Sequence, residues 1–250
     1  MSRHLMTLKI LSILALTQAV VLGNDPGNRP LVELWYLGDS APSHPEVVVL
    51  GDGRLQIMSP EGPERSQLSQ DQLQELIHGL VNLDGLKSVE TSQLESQISL
   101  AEARSGLKAQ IPHAGDTVIR LRIGEEYREI RCHAVGVLAN RFPELECVRA
   151  VAAATRRLEN LRAVTTVGGH EEAKYIADLA TRQVEDFYDM KLAISVQDLS
   201  MVRALPDGSR FSQFVVESNA GGESMIRMVS VTETPGHHPR VSMIGGPTIR

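Results

Sequence analysis

Cysteine is nearly absent from this chain: Cys132 and Cys147 are the only two in 250 residues. Two thiols are too few for a four-thiolate zinc site or a disulfide-dense scaffold. Aromatic residues make up 4% of the sequence, and Trp35 is the only tryptophan. Base-stacking or sugar-stacking platforms, which need several exposed rings, are therefore disfavoured. Motifs that carry chemistry are missing too. There is no HExxH, CxxC, GxSxG, P-loop or GxGxxG, and Gly221-Gly222 alone signals only a loop. Ser105-Gly106-Leu107-Lys108 fits a bare SxxK pattern, but its companion KTG is lacking and Gly106 suits poorly the helix that should present the serine. Glycosylation sequons are absent as well.

The chain also lacks a basic cluster. Its 25 Lys and Arg stand against 31 Asp and Glu, a net charge of −6. Nucleic-acid affinity rests on neutralising phosphates, so the composition argues against that partner, and an anionic membrane surface is disfavoured by the same argument.

At the N-terminus the sequence reads as an export signal over 1–23. Arg3 and Lys9 supply positive charge, Ile10 to Leu22 is a mostly apolar run of 13 residues, and Gly23 is a small residue at the expected cut. The run is shorter than the roughly 20 apolar residues of a spanning helix, and Gln18 interrupts it. Cleavage would remove Arg3 and Lys9, leaving 23 basic against 31 acidic residues, near −8. The expected location is the periplasm or the outside medium, with no membrane span once the signal is removed.

The most regular stretch runs from Asp116 to Leu161. Thr117, Ile119, Leu121 and Ile123 alternate with Val118, Arg120 and Arg122, the period of a half-buried strand. Gly124-Glu125-Glu126 turns the chain into a second strand with Ile130, Cys132 and Ala134 on its apolar face. A helix is predicted from Pro143, with Cys147, Val151, Ala154 and Leu158 as its stripe. Both cysteines then face one seam. In an oxidising compartment a Cys132–Cys147 disulfide is expected, closing a loop of about 15 residues and worth roughly 3 kcal/mol in the chain-entropy view.

Elsewhere the patterning predicts strands at Leu31–Leu37, Glu46–Leu50 and Arg54–Met58, the last two around Gly51-Asp52-Gly53. Ser59–Leu68, polar and with two prolines, reads as a loop. Ser69 with Gln72 makes a capping box for a helix carrying Leu73, Leu76, Ile77 and Leu80. A weaker helix covers Ser92–Arg104, and another Glu171–Tyr188. Beyond Lys191 the chain reads as β-structure: Leu192–Val196, Met201–Leu205, Phe211–Glu217, Met225–Thr232 and Arg240–Ile244.

The fold class is α+β: antiparallel hairpins packed with amphipathic helices, followed by a helix plus an antiparallel β-meander. The expected divisions are the signal at 1–23, an N-terminal α+β domain at 24–165 and a C-terminal helix-plus-meander domain at 170–250. No cofactor or metal is expected, and no catalytic residue can be named. The expectation is an exported, non-catalytic module that binds a protein or an envelope component. The alternative is an exported hydrolase whose histidines (His113, His133, His170 and the His237-His238 pair) converge with a carboxylate only in the fold.

Overall fold

The computed structural model describes residues 26–38, 44–59, 62–220 and 223–244. The expected signal at 1–23 lies outside the described residues.

Six antiparallel strands form the larger sheet: β1 (Pro30–Leu37), β2 (Val47–Leu50), β3 (Arg54–Ser59), β4 (Gly62–Gln67), β5 (Asp116–Ile123) and β6 (Glu126–His133), in the order β4-β3-β2-β1-β5-β6. Gly53, at φ 85°, turns β2 into β3, and a Cβ there would sit 2.6 Å from the Leu68 carbonyl oxygen. Only glycine serves at that position. The alternation along β5 and β6 buries Ile119, Leu121, Ile130 and Cys132 on one face. The opposite face is polar. There Arg120 bonds Glu129 at 2.9 Å, approaches Glu33 at 3.6 Å and lies 4.8 Å over the Trp35 ring.

Helices α1 (Gln70–His78), α2 (Thr91–Ser105), α3 (Val135–Arg141) and α4 (Glu146–Val167) cover the apolar face. The capping box of α1 forms as predicted: the Gln72 amide donates to Ser69 Oγ at 3.2 Å, and the Ser69 amide donates to Gln72 Oε1 at 2.8 Å. Helix α5 (His170–Tyr188) then covers a four-stranded antiparallel sheet of β7 (Leu199–Ala204), β8 (Arg210–Ala220), β9 (Glu223–Glu233) and β10 (Arg240–Ile244), in the order β10-β9-β8-β7. The molecule is α+β, with antiparallel sheets throughout.

Two apolar clusters result. The first joins the six-stranded sheet to α1–α4, and the second joins α5 to the smaller sheet. Helix α4 belongs to both: Val148, Val151, Ala154 and Leu158 pack in the first, Ala163 and Val167 in the second. The chain passes between clusters inside a continuous helix, then reverses through Gly168 and Gly169, whose φ angles are 111° and 107°.

The Cys132–Cys147 disulfide is not formed, and the two cysteines are free thiols that do not lie close together. The expectation placed both cysteines at a seam between the hairpin and a helix beginning at Pro143. Instead Ala134 turns the chain with φ 46°, α3 intervenes, and α4 starts at Glu146. Cys147 thus sits in the first turn of α4 beside α2, where its thiol bonds Gln97 Oε1 at 3.2 Å. Cys132 points from β6 into the core, and burial pushes its thiol up to about 12. Ellman titration of the purified protein without reductant is expected to count two thiols in denaturant and to find Cys132 unreactive in the native state. A count of zero would restore the bond.

Candidate functional site

A concavity of about 820 Å³ opens where α4 meets the start of the smaller sheet. Its helical wall presents Glu159, Arg162, Ala163 and Thr166. These recur at i, i+3, i+4 and i+7, so they share one face of α4. Strand β7 lines the facing wall from Ser200 to Ala204, and Glu64 of β4 closes one side. Asn160 ties helix to strand: its amide donates to the Val196 and Leu199 carbonyls at 2.7 and 2.9 Å.

The charges in this cleft are held from behind. Tyr36 of β1 donates its hydroxyl to Glu159, and Arg162 pairs with Glu46 at 3.3 Å. Burial, reinforced by the Glu159 carboxylate, raises the Tyr36 phenol well above its ordinary value. The phenol therefore stays neutral and donates to a carboxylate. At the far end Arg210 bridges Glu172 of α5 and Glu233 of β9, at 2.5 and 2.8 Å, and donates to the Val167 carbonyl at 3.1 Å. Those partners hold the guanidinium protonated against its burial. By contrast, the Glu64 and Arg203 side chains make no ion pair or hydrogen bond among the described residues.

A smaller pocket of about 320 Å³ lies between α2 and the β5–β6 hairpin. It contains Asp116, Arg131 and His133, with Glu95 and Glu102 on the α2 side. His133 Nδ1 lies 2.9 Å from Asp116 Oδ1, and Arg131 Nε donates to Asp116 Oδ2 at 2.7 Å. Burial works to raise the Asp116 carboxyl, but the bonds from His133 and Arg131 prevail and hold it below its ordinary value. The other ring nitrogen, His133 Nε2, meets the backbone of Ile111, 3.1 Å from its oxygen and 3.4 Å from its nitrogen. The imidazole thus anchors the 106–115 loop to the hairpin. A general base needs a free nitrogen facing a substrate, and both of these are engaged.

Of the histidines weighed from sequence, His133 alone acquires a carboxylate partner among the described residues. His113 stands at φ 61° in the 106–115 loop, His170 begins α5, and His237 lies in the turn before β10, its amide bonded to the Thr234 carbonyl at 3.0 Å. Among the described residues no group of three His, Cys, Asp or Glu could hold a metal ion. Nor, among them, is any helix long and apolar enough to cross a membrane.

Sequence reasoning had not singled out Glu159, Arg162, Glu64 or β7. The one available signal was the spacing of Glu159, Arg162 and Thr166 at i, i+3 and i+7 along the amphipathic helix. On its own that pattern describes any solvated helix face.

No protein-family model, curated protein or solved structure matches this chain.

Proposed function

We propose that this chain is an exported, non-catalytic binding module of the cell envelope or exterior, and that the cleft between α4 and β7 is its ligand site. One observation carries the reading: the cleft combines an open strand edge with two charged side chains, Glu64 and Arg203, that have no partner among the described residues. Groups left unsatisfied within a concavity are groups a ligand can satisfy. The charges around them are held by Tyr36, Glu46, Glu172 and Glu233, which suits a preformed recognition surface. Export rests on the basic and apolar pattern of the first 23 residues.

The test uses random dodecapeptides displayed on phage and panned against the chain lacking its first 23 residues. Thr166 lines the cleft from α4, and Thr166→Trp would fill it. Selected peptides, once synthesised, are expected to bind this variant at least about ten-fold more weakly than wild type, with the far-ultraviolet circular dichroism unchanged. Equal binding to both proteins would place the ligand elsewhere.

The second reading, a hydrolase, has one observation in its favour, the His133–Asp116 pair at 2.9 Å in the smaller pocket. Turnover of ester or peptide substrates that disappears in Asp116→Asn would favour it.

A further inference from the structure

The cleft meets β7 at a strand edge. Across the β7–β8 turn the Leu205 amide donates to the Ser209 carbonyl at 2.7 Å, which sets the alternation of the antiparallel ladder. Followed back in register, Arg203 and Met201 face Phe211 and Gln213 as hydrogen-bonded pairs, and Val202 and Ala204 fall between them. The amides and carbonyls of Val202 and Ala204 therefore point away from β8, into the cleft. The register slips between Leu199 and Met201, and there α4 provides the one cap, Asn160 on the Leu199 carbonyl. Among the described residues nothing else pairs with that edge.

The two edges of the larger sheet are managed differently. At β6 the Thr91 hydroxyl donates to the Glu129 carbonyl at 3.2 Å and accepts from the Arg131 amide at 3.1 Å. Strand β4 is polar and carries Pro63. Both are devices that discourage strand addition. From Val202 to Ala204 the β7 edge carries neither; it opens into a walled slot instead.

The slot also has a sign. Its lining and their direct partners include five carboxylates: Glu46, Glu64, Glu159, Glu172 and Glu233. Three guanidiniums answer them, Arg162, Arg203 and Arg210, leaving an excess of two negative charges. A concavity with such an excess attracts a cationic ligand.

We infer that β7 accepts an extended, lysine- or arginine-bearing segment of another protein as an added fifth strand of the smaller sheet. The inference rests on the cleft being the ligand site. Backbone bonds to Val202 and Ala204 supply sequence-independent affinity, and Glu64 and Glu159 select basic side chains. The occupant is a single strand: α4 stands across the slot from β7, so a second sheet with its own helical layer has no room there.

Ala204→Pro tests it. Proline removes the amide that faces the cleft and leaves the ladder to β8 intact, a placement that edge strands tolerate. The panned peptides are expected to be rich in Lys or Arg and free of proline, and to bind Ala204→Pro at least about ten-fold more weakly in titration calorimetry. The same loss is expected when wild type meets a peptide N-methylated at alternate amides, an arm that needs no variant to fold. Loss of binding in Thr166→Trp with none in Ala204→Pro or with the methylated peptide keeps the cleft and overturns strand addition. Unchanged binding in all of them overturns both. Acidic or proline-rich selections, or no selectable peptide, overturn the inference. So would a concentration-dependent dimer that Ala204→Pro abolishes, since it would assign the edge to a second copy of the chain.

Discussion

Arg157→Ala is expected to lower unfolding stability by about 3 kcal/mol, the cost of leaving a desolvated carboxylate without its counter-charge. Arg157 of α4 reaches Asp84 with two bonds, Nε to Oδ2 at 2.8 Å and Nη2 to Oδ1 at 3.0 Å. The Asp84 side chain is only 7% exposed while Arg157 is 35% exposed, so the carboxylate depends on the guanidinium more than on solvent. The neighbourhood is tight as well: a Cβ on Gly79 would come within 2.7 Å of the Arg157 guanidinium. The fork therefore pins the five-residue π-turn at Gly79–Leu83 against α4. Urea denaturation measures the effect. Replacing the pair together, as Arg157→Met with Asp84→Leu, is expected to recover most of the loss, because neither charge is then stranded. A single substitution costing under about 1 kcal/mol would mean that Asp84 is well hydrated after all. Since α4 also carries Glu159 and Arg162, slackening it should be felt in the cleft.

The opposite sign is expected for Arg227→Met, a gain of about 1–3 kcal/mol. Arg227 lies opposite Val216, in alternation with Val229 and Val231, on the face of β9 that α5 covers. It is 5% exposed, and its Nε has no hydrogen-bond partner among the described residues. An arginine in that position loses its hydration without an ion pair in return. Methionine keeps most of the length and none of the charge. Chemical denaturation should show a raised midpoint with an unchanged slope. A lowered midpoint would mean that the guanidinium is satisfied by a group outside the described residues.

Much of the secondary structure was legible because it is written in adjacent residues. The period-two runs of β5 and β6, the Ser69–Gln72 capping box and the limits of β10 needed nothing beyond local pattern. Two strands were misjudged for physical reasons. β4, Gly-Pro-Glu-Arg-Ser-Gln, looks like a loop because an edge strand has little to bury. Leu192 to Val196 alternates like a strand and buries Leu192, Ile194 and Val196, yet among the described residues it joins no sheet. There the Thr181 hydroxyl of α5 serves the Ile194 backbone, accepting from its amide at 3.1 Å and donating to its carbonyl at 3.4 Å. One side chain stands in for a neighbouring strand, and no local pattern announces that.

The candidate site was illegible for a different reason. Tyr36 and Glu159 are 123 positions apart, and Arg157 and Asp84 are 73 apart. The sequence by itself determined most of the helices and antiparallel strands, since hydrophobic period and turn chemistry act over a few residues. Only the tertiary structure decided that α4 would serve two cores, that the two thiols would stay apart, and that a strand edge would open into a walled slot. Each of those depends on distances across space between segments remote along the chain, which packing alone sets.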